Sequence, residues 1–220
     1  MQRLDPKLDL VFKTLLSREP ALLADMLRSI LATPVCSVSI IDPALHVDIP
    51  PRAPAMLVIQ IARHDHDDDP IEVFLEFRST PATPANIINS VFTRDPLRFR
   101  RTVLIAWLLD TVSTSGDQFR FMFGMHERYN NMPFSDRWAI HVLQLSSFSP
   151  SEATGDPARV ERWARFLLAS SDAELDALAS EDPIMALART TLDQISAEPE
   201  IQALARARAE ALGLDGVSPS

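Results

Sequence analysis

The sequence predicts an α/β fold: a mixed sheet flanked by helices, with a helical C-terminal extension. Three observations carry that expectation. Apolar residues follow a helical period up to Leu31, switch to a period of two between residues 35 and 78, and return to the helical period beyond residue 157. Proline-rich and Ser/Thr/Asp-rich clusters fall where the period changes. The chain is 46% hydrophobic and 23% charged, enough apolar material for a core, which excludes disordered, collagen-like and coiled-coil classes.

Each element follows from its residues. Asp5 followed by Pro6 reads as an N-cap with proline at the first helical position. Leu8, Val11, Phe12, Leu15 and Leu16 then form one apolar stripe. Leu22, Leu23, Met26, Leu27, Ile30 and Leu31 form a second, ending before Pro34. The runs VCSVSII, LHVDI, AMLVIQIA and IEVFLEF, between residues 35 and 77, read as short strands. In the last of these Ile71, Val73, Leu75 and Phe77 share one face, while Glu72, Phe74, Glu76 and Arg78 share the other.

Helical period is expected again near residues 86–94 and 97–112, with Pro96 between them, and strands at 116–126 and 138–145. The stretch SPSEATGDP at 149–157 has the composition of a linker. Amphipathic helices follow at 157–168, 172–178, 183–195 and 199–212. The expected division is an α/β domain over 1–150, a helical extension over 151–213 and a frayed tail over 214–220.

Composition narrows the function classes. Thirty acidic and 21 basic residues give a net charge of −9, so the chain as a whole repels phosphate backbones. Residues 151–220 hold 13 Asp/Glu and 6 Arg, a net of −7, which suits protein binding or self-association through acidic C-terminal helices. One local basic patch stands out, with Arg94, Arg98, Arg100 and Arg101 inside RDPLRFRR. A single cysteine, Cys36, rules out an internal disulfide and reads as a small buried hydrophobe. No apolar run approaches a membrane span and the start lacks a signal-peptide pattern, so the expectation is a cytoplasmic protein with no membrane partner.

Several chemistries find no support. Phosphate-binding glycine loops, the G-x-S-x-G elbow and H-E-x-x-H are all missing from the sequence. His64 and His66 among Asp65, Asp67, Asp68 and Asp69 read as a solvated hairpin tip. Trp107, Trp138, Trp163 and His141 read as core. Asp9 precedes Lys13 by four residues, the spacing of a helical ion pair. Glu76-x-Arg78 is the informative pair. Residues two apart on a strand share a face, so a carboxylate and a cation reach one point above the sheet. Metal-dependent phosphodiester hydrolysis needs such a pair, and so does an ordinary salt bridge.

The order of segments resembles a known family. LDPKLDLVFKTLL at the start, LEFRS around Glu76, the arginine-bearing stretch before GDQF, SDRWAIHVLQLSSF and DPARVERWARFL are similar to segments of the recombination-promoting nuclease and transposase proteins, a branch of the PD-(D/E)XK nucleases. The resemblance spans roughly residues 4–210. It implies a nuclease-like sheet, DNA as partner and Mg²⁺ for hydrolytic cleavage. Carried over by position, Glu76 is the metal-binding carboxylate and Arg78 stands at the K/Q position of E-x-K. Asp9 is the acidic residue of the opening helix, and Arg100 or Arg101 matches the helix arginine that follows. Read from the residues themselves, Arg94, Arg98, Arg100 and Arg101 are either nucleic-acid-binding residues or a solvated helix face.

The sequence also departs from that pattern. The strand before HDHDDD, where the family carries its Asp, reads Met56, Leu57, Val58, Ile59, Gln60, Ile61 and offers no carboxylate on either side. Gln144 stands where the family has a Glu, and the guanidinium of Arg78 stays protonated, so it cannot act as a base. Glu72, on the same face as Glu76, or Asp48, on an earlier strand, are the candidate replacement ligands. The expectation is a member whose ancestral Mg²⁺-dependent endonuclease activity is weakened or lost. The alternative is a non-catalytic scaffold that binds nucleic acid or protein.

Overall fold

The computed structural model describes residues 3–31, 35–41, 54–62, 70–92, 101–112, 118–150 and 156–214. The described residues form two compact units. One draws on Met1–Thr33, Ala44–Ala55 and Pro150–Ser220, the other on Pro34–Pro43 and Met56–Ser149. The chain passes between them at 149/150, and the N-terminal helices group with the C-terminal ones.

The first unit is helical: α1 (Asp9–Arg18), α2 (Pro20–Leu31), α4 (Asp156–Leu168), α5 (Asp172–Glu181), α6 (Pro183–Ala197) and α7 (Pro199–Ala211). Both predicted N-terminal stripes are buried, with Val11, Phe12, Leu15 and Leu16 on α1 and Leu22, Leu23, Met26, Leu27 and Ile30 on α2. They pack against Trp163, Phe166, Met185, Leu192 and Ile195 of the same unit's core. Helix α1 begins later than Asp5-Pro6 suggests. Asp5 instead closes a turn, accepting from Lys7 N at 2.9 Å through its side chain and from Leu8 N at 3.1 Å through its carbonyl. Ser171 and Glu174 form a capping box on α5, and Asp182 with Pro183 starts α6. Much of the acidity of these helices is matched internally: Arg189 meets Asp172, Asp176 and Asp193, Arg162 meets Asp182, and Arg165 meets Glu181.

The second unit holds a six-stranded mixed sheet in the order β1-β2-β3-β4-β6-β5, with β1 (Ser37–Ile40), β2 (Met56–Ala62), β3 (Ile71–Arg78), β4 (Arg101–Leu108), β5 (Arg120–His126) and β6 (Pro133–Gln144). The β3/β4 and β4/β6 pairs are parallel, and the remaining pairs are antiparallel. Helix α3 (Pro84–Phe92) follows β3 and precedes β4 in the chain, the crossover a parallel pair requires.

Two sequence expectations are corrected. Residues 101–108 form a strand where a helix was expected, so Arg101 begins β4. VLIAWLL, residues 103–109, is apolar throughout, and periodicity cannot separate a buried helix from a strand buried on both faces. As a central parallel strand, β4 is that second case, buried from Thr102 to Leu108. Cys36 is exposed, because it precedes the edge strand β1, which buries little on either side. The run 45–49 and the HDHDDD turn lie outside the described residues.

Candidate functional site

Register across the sheet places the candidate residues in rows. Glu72 is flanked by Gln60 and Thr102, Phe74 by Val58 and Leu104, Glu76 by Met56 and Ala106, and Arg78 by Leu108. On β6 the Glu76 row continues to Val142 and the Arg78 row to Gln144. Met56, Phe74, Leu104, Ala106, Leu108 and Val142 form an apolar cluster on this face, closed by Ile87 of α3. Glu76 is therefore a carboxylate in an apolar layer, fully buried.

A carboxylate there requires compensation. Arg78 supplies it: Nε donates to Glu76 Oε1 at 2.6 Å and Nη2 to Oε2 at 3.3 Å. Nη2 also donates to the Asn86 carbonyl at 3.1 Å. Asn86 sits in the first turn of α3, whose start is fixed by Thr83 Oγ1 accepting from Asn86 N at 3.2 Å. The guanidinium, itself buried, thus spans strand and helix. Sequence reading found the E-x-R pair but not Asn86, since a backbone carbonyl leaves no residue-type signal.

Gln144, fully buried at the end of β6, has a structural task. Its Oε1 accepts from Val112 N at 2.6 Å and its Nε2 donates to the Gln118 carbonyl at 2.9 Å. On the opposite face His141 pairs in register with Ile105 and Met122 and is buried. Burial, reinforced by Arg120, lowers its pKa to about 4, so the ring is neutral, and its Nδ1 has no hydrogen-bond partner among the described residues.

Asp9 belongs to the helical unit, as do Leu10, Ala55 and Arg208, which bond its carboxylate. Its carboxylate accepts from Leu10 N and Ala55 N at 2.8 Å each, and from Arg208 Nη2 at 2.6 Å. The ion-pair partner thus comes from α7, which an i, i+4 rule could not supply. Arg94, Arg98, Arg100 and Asp48 lie outside the described residues.

A hard dication such as Mg²⁺ takes one or two carboxylates among oxygen ligands. The described residues do not fit that need. Both Glu76 oxygens face the Arg78 guanidinium, and the adjoining row positions are Met56 and Ala106. Glu72 shares the face but lies four residues along the strand, about 13 Å at the rise of an extended chain. No group of three His, Cys, Asp or Glu able to hold a metal occurs among the described residues.

A family model described as PD-(D/E)XK nuclease family transposase matches residues 90–215, more than half of the chain. The chain belongs to that family. The match in this PD-(D/E)XK family transposase runs from the end of α3 through β4, β5, β6 and the C-terminal helices. Asp9, Glu72, Glu76 and Arg78 fall outside the matched residues, whereas Arg94, Arg98, Arg100, Arg101 and Gln144 fall within them. The mixed sheet, with its antiparallel β1-β2-β3 part and parallel β3-β4 pair, agrees with the fold that the family implies. Family members generally use divalent metals and act on DNA. No curated protein and no solved structure matches the chain. Among the described residues no helix is long and apolar enough to cross a membrane.

Proposed function

We propose that this transposase-family protein binds DNA but has lost, or nearly lost, the ancestral Mg²⁺-dependent endonuclease activity that promotes recombination. One observation carries the reading: among the described residues the one carboxylate of its row, Glu76, is neutralised by Arg78 and flanked by Met56 and Ala106. A cation already sits against Glu76 as a covalent part of the chain. A divalent ion would have to displace it with no second acid in the row to help. Arg78 also cannot replace the E-x-K lysine as a proton acceptor. Family membership supports DNA as the partner, and Arg101 with its preceding arginines remains a candidate phosphate-binding patch.

Plasmid DNA incubated with the full chain and Mg²⁺ or Mn²⁺ tests the catalytic half. Wild type and Glu76→Ala should leave the plasmid equally intact. Nicking by wild type that disappears in Glu76→Ala would overturn the loss of activity. Titration of labelled duplex DNA at low salt tests the binding half, and no association would refute it.

A further inference from the structure

Among the described residues β6 pairs with β4 from Trp138 onward and with β5 back to Pro133. Past the register shift after Gly124, Met125 pairs with Ser135 and His126 with Pro133, so β5 and β6 close as a short two-stranded ribbon around the loop 127–132. The two steps from Ser135 to Pro133 at strand rise reach about 7 Å, before the loop at the tip is added. Register shifts at Gly124/Met125 and Met125/His126 twist the ribbon out of the regular ladder.

The tip is exposed and built. Glu127 N donates to the Met132 carbonyl at 2.8 Å, closing the loop. The Glu127 carboxylate accepts from Tyr129 N at 2.7 Å and Asn130 N at 2.8 Å, bonds that hold its pKa below the usual carboxylate range. His126 Nδ1 lies 3.1 Å from the Asn131 carbonyl, and Asn131 takes the left-handed conformation at φ 54°. This internal bonding leaves Arg128, Tyr129, Asn130 and Asn131 facing solvent, Tyr129 with 91% of its surface exposed.

Local charge differs from that of the chain. Residues 118–137 carry Arg120, Arg128 and Arg137 against Glu127 and Asp136, 3 − 2 = +1, while the whole chain stands at −9. The remaining 200 residues therefore carry −10. At its tip Arg128, the Tyr129 ring and the amides of Asn130 and Asn131 stand together on one exposed loop. Met125 and Met132 are also exposed beside the tip, apolar groups suited to thymine methyls.

We propose that the β5–β6 ribbon is a DNA-reading arm that enters the major groove of double-stranded DNA with Arg128, Tyr129, Asn130 and Asn131 leading. The inference rests on the DNA-binding reading above. A two-stranded ribbon fits a groove about 12 Å wide and 8.5 Å deep. Arginine pairs with the guanine edge and asparagine with the adenine edge there, and the fixed tip lowers the ordering cost of binding.

Fluorescence anisotropy with a labelled 20-base-pair duplex, over a KCl series, tests this with the full chain. Arg128→Ala and Tyr129→Ala should each weaken binding about threefold or more at 0.1 M salt, and Arg128→Ala should reduce the log–log salt slope by about 1. Arg206→Ala, at an exposed position on α7, should bind like wild type. Because the altered tip residues are solvent-facing, unchanged circular dichroism should accompany the loss. If wild type binds and the tip variants bind equally well, the arm is overturned while DNA binding stands. If wild type binds no duplex at 25 mM KCl, the DNA-binding reading falls and the arm with it. A sedimentation mass of two chains that reverts to one on Phe123→Ser would make the ribbon a self-association surface and also overturn the proposal.

Discussion

Asp9 and Arg208, 199 residues apart in the chain, form a buried ion pair in which Nε and Nη2 reach the two carboxylate oxygens at 2.6–3.1 Å. The same carboxylate caps backbone N–H groups of Leu10 and Ala55. One acid therefore fixes the start of α1, the segment at Ala55 and the last turn of α7. Truncating one partner of such a pair leaves the other buried and uncompensated. Arg208→Ala should cost about 3–5 kcal/mol in urea denaturation. Arg208→Lys should recover only part of that loss, because an ammonium lacks the planar fork.

Glu76 and Arg78 obey the same rule in the other unit, with a different consequence for function. Either single truncation, Glu76→Ala or Arg78→Ala, breaks a buried ion pair in the apolar layer and should cost about 3–5 kcal/mol. The apolar pair Glu76→Leu with Arg78→Met should cost far less, since both charges leave together. A double-mutant cycle by chemical denaturation reads the coupling directly. Additive losses would mean that the two side chains do not neutralise each other. Thermal unfolding of wild type should also be unmoved by millimolar Mg²⁺ beyond an ionic-strength control, because a ligand raises the midpoint only by binding the native state.

How much of this was legible in the sequence depends on the range of the interaction. Alternation over Ile71–Arg78 placed Glu76 and Arg78 on one face, and the missing acid at residues 56–61 was visible because every residue there is apolar or Gln. Strand pairing added that Met56, and not Gln60, stands beside Glu76. The Asp9–Arg208 pair was illegible, since no local period links the two ends of a chain. Strand β4 was misread as helix because TVLIAWLL is buried on both faces and so carries no alternation. The ribbon was half visible: GDQFRFMFGMH reads as a strand, but its closure around the loop 127–132 depends on β5 pairing with β6 back to Pro133.

Gln144 separates ancestry from present need. The resemblance sets a carboxylate of the family against this position as an expectation, and here the amide donates to the Gln118 carbonyl while accepting from Val112 N. A carboxylate keeps the acceptor and loses the donor, bringing an anion against a carbonyl oxygen in a fully buried place. Gln144→Glu should therefore destabilise by about 1–3 kcal/mol at neutral pH. It should recover some stability as the pH falls and the new carboxyl protonates. Urea titrations at pH 7 and pH 5, compared with wild type, check both signs, and the variant should not gain nuclease activity.

His141 gives the chain a second acid-sensitive point. Its folded pKa is lowered to about 4 from an ordinary 6.5, by burial first and by Arg120 second. Between those values the unfolded chain binds a proton that the native sheet refuses, so stability falls as pH drops from about 6.5 to about 4. The contribution is flat above this window and flat again below it. A displacement from 6.5 to about 4 corresponds to about 3 kcal/mol over the whole window. Carboxylates titrate in the lower part of the same range, so the wild-type curve alone is not diagnostic. His141→Leu removes the titrating ring and its partnerless Nδ1 while keeping an apolar side chain between Ile105 and Met122. Urea midpoints measured from pH 7.5 to 4.5 should fall less steeply for His141→Leu than for wild type, with the gap opening near pH 6.5. Parallel curves would mean that the buried imidazole accepts its proton in the folded sheet as readily as in the unfolded chain.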